Sequence, residues 1–92
     1  MLKHIVVWTM KPETSLEQKQ EMKARLESLA GKIPELRFIE VGIDSGNGTM
    51  SLYSEFDNED ALIAYQVHPD HQAVVGFVKP LVAVRTVCDY VL

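Results

Sequence analysis

Ninety-two residues, 47% of them apolar and 24% charged, have the composition of a folded chain and point to a single domain over residues 1–92. A net charge of −4 at pH 7 argues against nucleic acid and anionic membranes as partners, since both select basic surfaces. One cysteine, Cys88, excludes an internal disulfide framework, and no apolar run nears the ~20 residues that cross a bilayer. With no signal-peptide pattern at Met1, the expectation is a soluble cytoplasmic protein.

Leu2 to Met10 is rich in β-branched residues and reads as a strand. Ile5 and Val7 point to one face, while His4, Val6, Trp8 and Met10 point to the other. A strand that is apolar on both faces belongs in the middle of a sheet. Lys11-Pro12 ends it. Thr14 with Glu17 and Ser15 with Gln18 form overlapping capping-box signals. The helix behind them sets Met22, Leu26, Leu29 and Ile33 on one stripe, with Gly31 as its stop.

Leu36 to Asp44 reads as a second strand. Ser45-Gly46-Asn47-Gly48 supplies a hairpin turn, and Met50 to Phe56 reads as the third strand. Asp57 or Asn58 caps a second helix that carries Ala61, Leu62 and Tyr65. His68-Pro69 breaks that helix, because the residue before proline is pushed out of the helical region. Pro69 suits the first position of a new helix, which buries Val74, Val75 and Val78 and ends at Pro80. Arg85 to Leu92 is the fourth strand, with Cys88 read as a small buried hydrophobe.

The order β-α-β-β-α-β predicts an α+β, ferredoxin-like sandwich: a four-stranded antiparallel sheet with helices on one face. Val6, Trp8 and Met10 are read as loading the face that two helices leave uncovered. Contiguous apolar surface of that kind is unusual on a monomer. The expectation is a homodimer joined sheet face to sheet face through the open side, enclosing a pocket.

The chemistry-bearing cluster is Tyr65-Gln66-Val67-His68-Pro69-Asp70-His71, which holds two of the three histidines. Tyr65 and His68 share a helical face by their spacing of three. His71 falls near the N-terminus of the following helix, where the dipole favours its neutral, basic form. An imidazole base beside a phenol can take a C–H proton while the phenol holds the oxygen that gains charge. The plainer alternative has these side chains satisfying backbone groups left over by the helix break. A metal is not expected, because no cysteine or carboxylate stands at ligand spacing and Pro69 makes the two rings diverge. Phosphate loops, nucleophile elbows and CxxC pairs are absent, so no cofactor is expected.

Lys3-His4-Ile5-Val6, Glu40-Val41-Gly42, Ser54-Glu55-Phe56-Asp57, Ala64 through His71, Lys79-Pro80 and Asp89-Tyr90 together resemble the stress-responsive A/B barrel (Dabb) domain over essentially the whole chain. The resemblance implies a dimeric α/β barrel built from two ferredoxin-like subunits. Many members of that family have no assigned role. One plant member is a polyketide cyclase that closes a ring by cofactor-free aldol-type chemistry, with the histidine matching His71 as base, the tyrosine matching Tyr65 assisting, and the histidine matching His4 lining the cavity. Two functions follow as expectations. One is a small Dabb homodimer with a stress-related or assembly role and no turnover. The other is a cyclase-like or small-molecule-binding pocket for an apolar or carbonyl ligand, with His71, Tyr65 and His4 as catalytic candidates and His68, Trp8 and Val6 as binding candidates.

Overall fold

In a computed structural model, which describes residues 1–92, the chain runs β1 (Leu2–Met10), α1 (Leu16–Glu27), β2 (Phe38–Ile43), β3 (Thr49–Phe56), α2 (Glu59–Val67), α3 (Pro69–Val78), a 3-10 turn (Lys79–Leu81) and β4 (Val82–Val91). The strands form one antiparallel sheet in the order β2-β3-β1-β4, with the helices packed on one face, which is the ferredoxin-like α+β arrangement. β1 is central, paired with β3 from Leu2↔Phe56 to Thr9↔Thr49 and with β4 from Leu2↔Val91 to Met10↔Val82.

Local chemistry sets most boundaries. Ser15 caps α1 by accepting from the Gln18 N–H, and the Gln18 side chain accepts from the Ser15 N–H in return. Thr14 is buried instead, donating its hydroxyl to the Leu81 carbonyl at 2.9 Å. Asn58, not Asp57, caps α2, while Asp57 forms a fork with Arg37. α1 stops at Glu27, earlier than its stripe predicts. The Ser28 hydroxyl takes the Arg25 carbonyl at 2.7 Å, and i→i+3 turns through Leu29 and Lys32 still deliver Leu29 and Ile33 to the core. Gly31, at φ 85°, makes the left-handed step in that turn. β4 begins at Val82 rather than Arg85, because Pro80 tightens only a three-residue 3-10 turn.

The assignment of faces is reversed from the expectation. Leu2, His4, Val6, Trp8 and Met10 are buried beneath the helices, together with Val41, Met50, Leu52 and Phe56 of the neighbouring strands. Lys3, Ile5, Val7 and Thr9 carry the open face. Alternation separates the two faces of a strand but does not say which one the helices cover. The open face is apolar all the same: Val7, Phe38, Val84 and Tyr90 are 39–56% exposed there. Cys88 is exposed as well, next to Ile5 on β4. No helix is long and apolar enough to cross a membrane.

Candidate functional site

The helix break is built from satisfied backbone groups. His68 takes an extended conformation (φ −63°, ψ 136°), ends α2 and caps α3, its Nδ1 accepting from the Asp70 N–H at 3.1 Å. Pro69 sits in the first turn of α3, where its missing N–H costs nothing. The Gln66 carbonyl, stranded at the end of α2, receives the Gln72 amide at 2.6 Å and His71 Nδ1 at 3.1 Å. A carbonyl can only accept, so His71 carries its proton on Nδ1 and leaves the Nε2 lone pair free.

That bond turns the His71 ring onto Tyr65, with ring centroids 4.4 Å apart. Tyr65 packs on Phe56 at 5.0 Å, and Phe56 in turn meets His4 edge-on at 6.3 Å. His4 is buried on β1, and its Nδ1 meets the Asp89 carboxylate of β4 at 2.5 Å, the two residues lying directly across the ladder. The carboxylate holds His4 in the tautomer whose Nε2 is the open acceptor.

These groups line one cavity. It has a volume of about 450 Å³ and lies between β1, β4 and the helices, with walls from Val6, Trp8, Leu26, Leu52, Val75 and Val78. His4, Tyr65, His71, Lys79 and Arg85 supply its polar lining. The Tyr65 hydroxyl has no protein partner, yet the chain leaves no fully buried side-chain N or O atom unpaired, so the hydroxyl reaches the cavity. Burial pushes the Tyr65 phenol up to about 12, which keeps it a donor at neutral pH. Burial also lowers the His71 imidazole below its ordinary range; the Gln66 carbonyl works against this, and positive charge on Arg85, or on His4 and His68 when they are protonated, adds to it. His71 is therefore neutral at pH 7.

Of the residues singled out in the sequence, His4, Tyr65, His71, Val6 and Trp8 meet at this cavity. The cavity lies within a single chain, on the helix side of the sheet, rather than on its open face. His68 is not part of its lining and acts as a helix cap. Three polar residues escaped the sequence reading, one of them Lys79 of the 3-10 turn. Asp89 would have emerged from pairing the first and last strands through His4, and Arg85 lies on the same face, opposite Trp8. No three His, Cys, Asp or Glu side chains cluster in a way that could hold a metal ion.

Comparison with known proteins places this geometry in a family. Residues 2–92 match the model of the stress responsive A/B barrel domain. A dimeric ferredoxin-like protein of unknown function from Thermobifida fusca is 29% identical, with a TM-score of 0.88 over 99% of this chain and 90% of that one. A dimeric protein of unknown function and ferredoxin-like fold from Bacteroides fragilis is 32% identical, with a TM-score of 0.82 over 99% and 95% of the two chains. A hydroxynitrile lyase from Passiflora edulis shares the fold at 20% identity, with a TM-score of 0.84 over 99% and 92%. No functionally curated protein is similar enough to count as a match. The chain belongs to the stress-responsive A/B barrel (Dabb) family.

Proposed function

We propose that this protein is a homodimer whose protomers each hold a cofactor-independent proton-transfer site for a small carbonyl compound. The observation that carries the reading is the convergence of three groups without protein partners, Tyr65 Oη and the Nε2 atoms of His71 and His4, on one largely apolar cavity. Neutral His71 takes a proton from the carbon next to the ligand's carbonyl. The C–H electron pair becomes the enolate double bond, and the charge on oxygen is held by the Tyr65 hydroxyl. In an aldol-type closure the enolate carbon attacks a second carbonyl of the same molecule, and His71 returns its proton to the new alkoxide. His4, oriented by Asp89, accepts at Nε2 from a hydroxyl group of the ligand. The Passiflora edulis lyase offers fold-level analogy only.

Deuterium exchange at the α-carbon of acetophenone, followed by proton NMR in D2O, tests this reading. Exchange above the buffer rate, lost in His71→Ala and Tyr65→Phe with little change in melting temperature, is the expected result. A wild-type protein no faster than buffer sinks the catalytic reading.

A second reading is favoured by the bonds from His68, His71 and Gln72 to backbone groups at the helix break. In it, these side chains only join α2 to α3, and the dimer has no turnover. His71→Ala then destabilises the fold by about 1 kcal/mol through the lost bond to the Gln66 carbonyl, which keeps the Gln72 amide. The dimer itself is supported by the exposed Val7, Phe38, Val84 and Tyr90 on the open face and by the dimeric relatives. Val7→Glu at that face should yield monomers in sedimentation velocity.

A further inference from the structure

The chain carries thirteen acidic residues and nine basic ones, yet its cavity wall contains two cations and no carboxylate. Arg85 and Lys79 both line it, and neither makes an ion pair or side-chain hydrogen bond within the chain. Four of the other seven arginines and lysines are matched to acids, Arg37 to Asp57, Arg25 to Glu21, Lys3 to Glu55 and Lys23 to Glu27, and Arg85 is the one arginine without such a partner. A guanidinium left unmatched at the mouth of an apolar cavity in an acidic protein has its counter-charge still to come. Arg85 stands on β4 opposite Trp8, whereas the Asp89–His4 pair lies four residues further along the ladder. At about 3.3 Å per residue that separates the two rows by roughly 13 Å, with apolar wall between them.

Building on the proton-transfer reading, we propose that the ligand is a small apolar carbonyl compound that also bears a carboxylate, held by Arg85 with Lys79 nearby while its carbonyl lies at Tyr65 and His71. A carboxylate suits Arg85 because the guanidinium fork presents parallel N–H donors to its two oxygens. Val6, Trp8 and Leu52 pack the body between the two polar ends. The cavity, about 450 Å³, suits a single small molecule of this kind.

The test compares 7-oxo-7-phenylheptanoate, whose five methylenes span the apolar stretch between its two polar ends, with its primary amide, which keeps the ketone and the shape but removes the charge. Trp8 is the only tryptophan and lines the cavity, so its indole signal in proton–nitrogen NMR spectra reports binding directly. Titrations are run at pH 8, where His71 is neutral. The expected result is an acid that binds about tenfold tighter than the amide, the size of one partly exposed charge-assisted contact. Arg85→Gln should bring that ratio close to one, and Arg85→Lys should restore part of it. Equal affinities for acid and amide in the wild type overturn the carboxylate assignment and leave the proton-transfer reading standing. An acid preference that survives in Arg85→Gln overturns the role of Arg85. If neither compound shifts the Trp8 signal, both this inference and the ligand-binding reading fall.

Discussion

The two halves of the sheet solve the same packing problem differently. On the β2–β3 side, α1 and its following turns press Met22, Leu29 and Ile33 onto Val41, Met50 and Phe56, and all of these are nearly or fully inaccessible. Even the outer edge of β2 is closed: the Val41 N–H donates to Glu27 at 3.0 Å and its carbonyl accepts from Lys23 at 2.6 Å. On the other side, β4 is exposed at every position from Ala83 to Val91, although its sequence is as apolar as that of β3. There the helices stand off and leave the cavity, and an unmatched Arg85 faces it. The closed half carries stability, while the open half has room for a ligand and a free strand edge for a partner. Close packing and open space are divided along β1, which borders both.

The contrast can be broken by mutation. Met22→Ala, in the closed half, should cost about 2–5 kcal/mol in urea unfolding, because a fully packed site cannot collapse around the missing atoms. Glu27→Ala should cost roughly 1–2 kcal/mol by stripping the Val41 N–H of its acceptor, with a matching loss of amide-exchange protection at Val41. His68→Ala removes the α3 cap and should lower stability by about 1 kcal/mol in the same unfolding assay. Val87→Ala, on the open half, should change a monomer by no more than about 0.5 kcal/mol. A larger, concentration-dependent loss there would mean that β4 is buried by a partner, and the contrast would then describe the isolated protomer only.

The smallest effect is one of pH. The folded state holds His71 below its ordinary range, chiefly through burial, so the unfolded chain binds the extra proton first. Its contribution is therefore complete above pH ~6.5 and is lost as the pH falls from there through the lowered folded value. The carboxylates that the fold holds low, among them Glu27, Asp44 and Asp57, act in a separate and more acidic window. Melting temperatures from pH 8 to 5 should decline less steeply in His71→Gln than in the wild type.

Much of the fold was legible in the sequence because its signals are local. The Ser15–Gln18 box, the Gly48 turn and the break at His68-Pro69 each act within a few residues, and each stands where it was expected. Tyr65, His71 and His4 were legible as chemical candidates through residue type and family resemblance. Asp89 and Arg85 were not, because an acid and a base on an alternating strand look like ordinary surface until the strand has a partner. The assignment of Val6 and Trp8 to the uncovered face failed for the same reason. Lys3 and Thr9, polar and on the opposite parity, were the only sequence hint of the true arrangement.

By itself, then, the sequence determined the order of elements, the broken helix and the family, since capping, proline geometry and hydrophobic period act over short stretches of chain. Only the tertiary structure decided which face of β1 the helices cover, that His4 meets Asp89 across 85 positions of sequence, and that Tyr65, His71 and Arg85 share a cavity inside one protomer. Those outcomes depend on strand register and on where helices stop, and both are fixed by packing between segments far apart in the chain.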